Sequence, residues 1–154
     1  MLAYDRDNGE RICSLDFGII ESGESSREIE VWLWNMKDHA ALPTATDVRI
    51  SVAATNPYAG DIVDSKLVKV KSSGVTDPDD AGIVDDAETE FTPIGGGLTE
   101  SGMYHGVGDT PSNCARRLTF RLDLPDGFVV KGRPKLVLQI GYMSGEVKWL
   151  YADD

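Results

Sequence analysis

The chain has 154 residues, of which 41% are hydrophobic and 27% charged, proportions typical of a globular domain with one hydrophobic core. Fifteen basic residues stand against 26 acidic ones, and a net charge of −11 disfavours binding to the phosphates of nucleic acids. No stretch reaches the ~18 consecutive apolar residues that cross a bilayer, and the N-terminal residues lack the apolar run of a signal peptide. We therefore expect neither a nucleic-acid nor a membrane partner.

Alternating apolar and polar residues recur along the chain and predict short strands rather than helices. Turns rich in Gly, Pro, Asn and Asp separate these segments. Seven or eight such strands predict an all-β fold, an antiparallel β-sandwich of the Ig-like or jelly-roll-like kind, or a related barrel. The predicted strands, in chain order, are residues 11–15 with 17–20, 27–35, 47–55, 62–71, 115–124, 135–143 and 147–151.

The strand at residues 27–35 has an unusual polar face. Its apolar residues alternate with Glu28, Glu30, Trp32 and Trp34, which therefore share the opposite face. A strand with one buried face normally exposes polar residues on the other. Two tryptophans there need a cover, and three alternatives stay open: another part of this chain, a second subunit, or a ligand such as a sugar ring.

Residues 72–113 interrupt the strand pattern. Structureless loops longer than about 12–15 residues are uncommon in compact domains. This segment has an acidic half, 77–90, followed by a glycine-rich half, 95–108, which large apolar residues punctuate. We predict a single domain over residues 1–154 in which 72–113 forms a long insertion or arm; the alternative is a disordered loop.

The acidic half matches part of the twelve-residue calcium-loop template. Asp77, Asp79, Asp85 and Glu88 occupy positions 1, 3, 9 and 12 of that template. Calcium takes six to eight oxygen ligands, which closely spaced carboxylates can supply. However, Ala81 removes the ligand at position 5, and no helical pattern flanks the loop. The alternatives are a solvated acidic loop and a calcium-binding loop of a β-protein; we predict no other cofactor.

The histidines, cysteines and serines of this chain do not occur in any recognisable catalytic motif. His39 and His105 are predicted to be surface residues, and the chain contains no GxSxG or phosphate-loop motif. Cys13 and Cys114 are expected to be reduced thiols, with a disulfide between them as the alternative. We therefore predict that the protein is not an enzyme and has no catalytic residues.

Residues 15–35 carry a local resemblance to a known family. They read LDFGIIESGESSREIEVWLWN, which resembles the opening of immunoglobulin-like β-sandwich domains of the hydin and major-sperm-protein type. Such domains serve mostly as binding or scaffolding modules and also occur in bacteriophage virion proteins. The resemblance covers 21 of the 154 residues and implies the fold more than any activity. The matching positions are Phe17, Gly18, Ile20, Gly23, Val31, Leu33 and Asn35.

From these observations we predict a non-enzymatic structural protein that functions by assembling with other subunits. The most specific form of this prediction is a bacteriophage virion or tail component. Its expected partners are other protein subunits, in a homo-oligomer or a virion; its expected location is the virion if a phage encodes it, and otherwise the cytoplasm. The alternative function is a carbohydrate-binding β-sandwich module stabilised by calcium. The candidate interface residues are Trp32, Trp34, Phe91, Met103 and Tyr104.

Overall fold

Ten strands and one short helix form the described part of the chain. The computed structural model describes residues 2–5, 11–12, 14–35, 44–77, 82–88, 90–96, 103–104, 106–107, 109–110, 114–144 and 146–151. The elements are β1 (Leu2–Asp5), β2 (Ser14–Asp16), β3 (Ile29–Trp34), β4 (Ala45–Ala54), α1 (Gly60–Asp64), β5 (Val68–Asp77), β6 (Gly82–Glu88), β7 (Thr92–Ile94), β8 (Ala115–Leu122), β9 (Lys135–Ser144) and β10 (Glu146–Tyr151). In these ranges no helix is both long and apolar enough to cross a bilayer.

The strands form two antiparallel sheets. Sheet A has the order β1-β3-β8-β5-β6, and β7 pairs with the same edge of β5 as β6 does. In sheet B, β9 pairs with β4 along one edge and with β2 and β10 along the other. The predicted all-β antiparallel sandwich is confirmed.

The core lies between the two sheets, and the two-residue period of each strand supplies it. β8 contributes Leu118, Phe120 and Leu122, all 0% exposed. From the facing sheet, β4 and β9 contribute alternate apolar side chains to the core. These facing residues are Val48, Ile50, Val52, Leu136, Leu138 and Ile140.

The sequence prediction of a strand from residue 62 is wrong at its beginning. Residues Gly60–Asp64 form α1, and the strand begins only at Val68. Ala59, Ile62 and Val63 are buried with the i, i+3, i+4 spacing of one helical turn. A single turn is too short to be distinguished from a strand by periodicity.

Much of the segment predicted as an insertion, residues 72–113, belongs to the sandwich. β5 continues to Asp77, and both β6 and β7 pair with it. The chain then follows the free edge of β4. Along this edge Val52 N donates to Gly95 O at 3.1 Å, Ile50 and Tyr104 exchange two backbone hydrogen bonds of 3.1 and 2.9 Å, and Ala45 and Thr110 exchange two of 2.9 and 3.0 Å. Gly95, Tyr104 and Thr110 thus pair with positions of an edge that would otherwise be open to pairing.

Candidate functional site

The first candidate surface is the outer face of sheet A, which points away from the core. Strand register places its side chains in rows across neighbouring strands. Trp32 lies opposite Arg117, and Thr119 lies between Glu30 and Lys71. The residues of this outer face are Glu28, Glu30, Trp32 and Trp34 beside or within β3, Arg117, Thr119 and Arg121 of β8, Lys69 and Lys71 of β5, and Phe91 just before β7.

The two tryptophans of the outer face are partly covered by the chain itself. Both are half-buried, and the Trp32 Nε1 atom is buried with no hydrogen-bond partner among the described residues. In the register of sheet A, Tyr4 and Leu2 of β1 are the cross-strand neighbours of Trp32 and Trp34. The sequence analysis missed β1, because four residues without sustained alternation are too short a signal.

Phe91 is the centre of a cation–aromatic cluster on the same face. The Arg121 guanidinium lies 4.1 Å and the Lys71 ammonium 5.0 Å from the centroid of its ring. A cation over an aromatic face contributes about 0.5–1 kcal/mol at an exposed site. Phe91, predicted from sequence as an interface residue, is therefore held in place by two basic side chains of the neighbouring strands.

Asp123 binds two basic side chains of the outer face, one of which, Arg121, contacts Phe91. Its carboxylate accepts two hydrogen bonds from Arg121, at 2.8 and 3.1 Å, and pairs with the Lys69 ammonium at 2.9 Å. Partial burial by itself raises the pKa of Asp123. The hydrogen bonds from Arg121, from Lys69 and from the Ser25 hydroxyl outweigh that effect, and the pKa falls well below its ordinary value of 3.8.

This shift predicts an acid dependence of stability. A carboxylate whose pKa is lower in the folded state stabilises the fold above its unfolded pKa, and the contribution is lost as pH falls through the folded pKa. We expect the free energy of unfolding to decrease below about pH 4, and Asp123→Asn to reduce that slope. Urea unfolding at a series of pH values between about 5 and 2 measures how the free energy of unfolding changes with pH. Asp64→Asn, an exposed carboxylate on α1, is the matched control; equal slopes for the two variants would contradict the role of Asp123.

The two remaining predicted interface residues lie elsewhere. Tyr104 is 6% exposed and belongs to the buried core, where it pairs with Ile50 of β4. Met103, its neighbour, is half-buried at the same edge of sheet B. The structure thus brings Trp32, Trp34 and Phe91 onto one face but places Met103 and Tyr104 on the other sheet.

The predicted calcium ligands are distributed along a two-stranded ribbon. Asp77 ends β5 opposite Gly82, whereas Asp85 and Glu88 lie within β6; Asp79 lies outside the described residues. Glu88 follows Gly82 by six residues of strand, which span about 20 Å. The backbone positions of Asp77 and Glu88 therefore lie at opposite ends of this ribbon. Calcium binding by this segment stays a prediction.

Cys114 is half-buried just before β8. Cys13, His39 and His105 lie outside the described residues.

The second candidate surface is one end of the sandwich, formed by three loops and called here the loop end. It consists of residues 17–28, 55–67 and 123–134, each of which connects one sheet to the other. Hydrogen bonds join the first and third of these loops: Gly127 N donates to Ser22 Oγ at 2.7 Å, and Gly23 N to Pro125 O at 3.2 Å. The loop end is therefore fixed by contacts between segments about 100 residues apart in sequence.

The loop end also carries exposed apolar side chains. Ile19 is 79%, Val129 71% and Tyr58 48% exposed, and each lies on a different one of the three loops. Beside Tyr58 is a surface cleft of about 240 Å³. A singly exposed hydrophobic residue such as Ile19 needs no explanation, but Tyr58 and Val129 both line this cleft and so form one surface. The sequence analysis did not identify this surface, since nothing in the sequence shows that these loops meet.

Comparisons of the chain with protein-family models, with curated proteins and with solved structures found no match.

Proposed function

We propose that this protein is a non-enzymatic structural subunit that assembles with other protein subunits, in the first place with copies of itself, through the outer face of sheet A. The observation that carries the proposal is the set of half-buried aromatic residues on that face, Trp32 opposite Arg117, Trp34 next along the same strand face, and Phe91 beneath Arg121. Trp and Arg are the residue types most enriched among binding hot spots, and a flat sheet face can present them together.

The electrostatics of the outer face support the same proposal. The chain as a whole carries a net charge of −11, which opposes the association of copies. On the outer face, however, Lys69, Lys71 and Arg121 offset Glu28 and Glu30, and Asp123 holds two of these cations in fixed positions. Copies of the chain can therefore approach through this face with less repulsion than through the acidic remainder.

The test is the oligomeric state as a function of concentration, measured by sedimentation equilibrium and native mass spectrometry. We expect the wild-type chain to self-associate and Trp32→Ser/Trp34→Ser to dissociate at least about thirtyfold more readily, the effect of losing one hot spot. Phe91 lies outside the buried core, and Phe91→Ala is also expected to weaken self-association. Ile19→Ser at the loop end is the matched control and should associate like the wild type.

A wild-type chain that stays monomeric at every concentration would contradict self-assembly. Association that Trp32→Ser/Trp34→Ser and Phe91→Ala leave unchanged, with their folds intact by circular dichroism, would show that another surface forms the contact.

The biological setting that we propose is a bacteriophage virion or tail, on the strength of the resemblance at residues 15–35. Peptide mass spectrometry of purified phage particles tests it. The chain should be found in the particles, and its presence in the particle-free fraction alone would contradict this setting.

A further inference from the structure

The cleft at the loop end combines an apolar lining with two opposite charges. It has a volume of about 240 Å³, below the range of roughly 300–1,000 Å³ for pockets that hold drug-sized ligands. Its charged side chains are one carboxylate, Asp61, and one ammonium, Lys131, so the lining has no net charge. The residues that line it are Pro57, Tyr58, Asp61, Phe128, Val129, Val130 and Lys131.

The ring of Tyr58 is positioned by close packing against a glycine. A Cβ atom added to Gly132 would lie 2.8, 2.9 and 3.0 Å from the Cε2, Cδ2 and Cζ atoms of the Tyr58 ring. A glycine lets the backbone approach the ring at this position, whereas a Cβ atom here would require the ring to shift. Tyr58 is nevertheless 48% exposed, so the chain presents an aromatic ring that packs against the backbone at Gly132 and is otherwise open to solvent.

The loops on either side of this contact are joined by one side chain. The Asn56 amide donates from Nδ2 to Arg133 O at 2.9 Å, and its Oδ1 accepts from Lys135 N at 3.2 Å. Asn56 precedes Tyr58 by two residues, and Arg133 directly follows Gly132. The hydrogen bonds therefore hold the two walls of the cleft together, which lowers the entropy lost when a ligand binds.

We propose that this cleft binds one unit of a neutral saccharide. The C–H face of a pyranose ring packs on Tyr58 and the adjoining apolar wall, because an aromatic face carries partial negative charge and attracts polarised C–H groups. The hydroxyl groups of the sugar donate to the Asp61 carboxylate and accept from the Lys131 ammonium. A lining with no net charge favours a neutral ligand over an anion or a cation.

This inference goes beyond the proposed function and does not depend on it. The saccharide would bind at the loop end, whereas assembly uses the outer face of sheet A. It also requires no metal ion.

The test is an NMR titration of the ¹⁵N-labelled chain with two neutral oligosaccharides, maltohexaose and chitohexaose. We expect at least one to shift the amide signals of Tyr58, Lys131 and Gly132, with a Kd on the order of 1 mM for so small a contact. Tyr58→Ala should weaken binding by about fivefold or more, and Tyr58→Phe, which keeps the ring face, should retain it. Gly132→Ala should weaken binding, since its Cβ displaces the ring.

Phe91→Ala on the outer face is the matched control and should bind like the wild type. Absence of shifts with both oligosaccharides would overturn the proposal, as would binding that Tyr58→Ala leaves intact. Shifts of the same amides on concentrating the protein without saccharide would show that a second copy occupies the cleft, which also overturns it. None of these three results tests the outer face, so failure here and failure of the proposed function are distinguishable.

Discussion

Replacing Phe120 by alanine is expected to lower the free energy of unfolding by about 3–5 kcal/mol, the range for large-to-small substitutions of buried aromatic residues. Phe120 is 0% exposed and lies in the middle of sheet A, opposite Ile29 of β3 and Val70 of β5. Removing its ring leaves a cavity that strands paired on both sides cannot close. Because domains of this kind are stable by only about 5–15 kcal/mol, the loss is a large fraction of the total.

Urea denaturation followed by tryptophan fluorescence measures this effect, with the midpoint expected to fall and the m-value to stay constant. Ile19→Ala is the matched control, because Ile19 is also a large apolar residue but is 79% exposed; its change should stay within about 0.5 kcal/mol. A loss below about 1 kcal/mol for Phe120→Ala would mean that the two sheets do not pack as described.

Sequence periodicity was sufficient to predict the strands whose core-facing residues are fully buried. In β3, Val31 and Leu33 are fully buried while Trp32 and Trp34 are only half-buried, and the alternation of the sequence reports this difference directly. In β8, Leu118, Phe120 and Leu122 are fully buried, but Thr119 on the opposite face is buried as well, so its alternation is less regular. β1 and α1 are too short for periodicity to show whether a segment forms a strand, a helix or a loop.

The predicted interface residues illustrate what pattern alone cannot provide. The sequence indicated that Trp32, Trp34 and Phe91 needed a contact, and the structure places all three on the outer face of sheet A. The partners of Phe91 could not be foreseen, because Arg121 reaches it only through the pairing of β7 with β5 and of β5 with β8. Strand order depends on long-range packing, which one sequence does not encode in any local motif.

The loop end was beyond sequence reasoning for a related reason. Tyr58 contacts Gly132, 74 positions away in the sequence, and the signal for this contact is only a glycine in a loop. Gly-containing loops are common, and most of them reflect turn geometry rather than close packing. The cleft becomes visible only when the three loops are placed side by side.

The two candidate surfaces have different structural bases, which gives them different sensitivities to mutation. The outer face is part of a regular sheet, so its side chains can change without moving the backbone. The loop end depends on specific contacts between loops, so its cleft is sensitive to residues that do not line it, such as Asn56. Variants of each surface therefore serve as controls for the other.

Tyr104→Ala is expected to lower the free energy of unfolding by about 3 kcal/mol, at the low end for buried aromatic residues. Tyr104 is 6% exposed within the core, and its backbone exchanges two hydrogen bonds with Ile50 at the free edge of β4. Its ring also rests against Gly106, where an added Cβ would lie 2.6 Å from the phenolic oxygen. The side chain thus fixes the Gly-rich stretch to the sandwich.

Hydrogen exchange at the Ile50 amide provides a local readout for this variant, because that N–H donates to Tyr104 O. We expect Tyr104→Ala to accelerate exchange at Ile50 well before global unfolding, and Tyr104→Phe, the matched control, to preserve the protection. If Tyr104→Ala changed neither the stability nor the exchange of Ile50, the glycine-rich half of residues 72–113 would be an appendage rather than an edge of the sheet. Since an uncovered β4 edge is a template for pairing with another chain, exposing it by Tyr104→Ala should also promote aggregation, which light scattering during refolding detects.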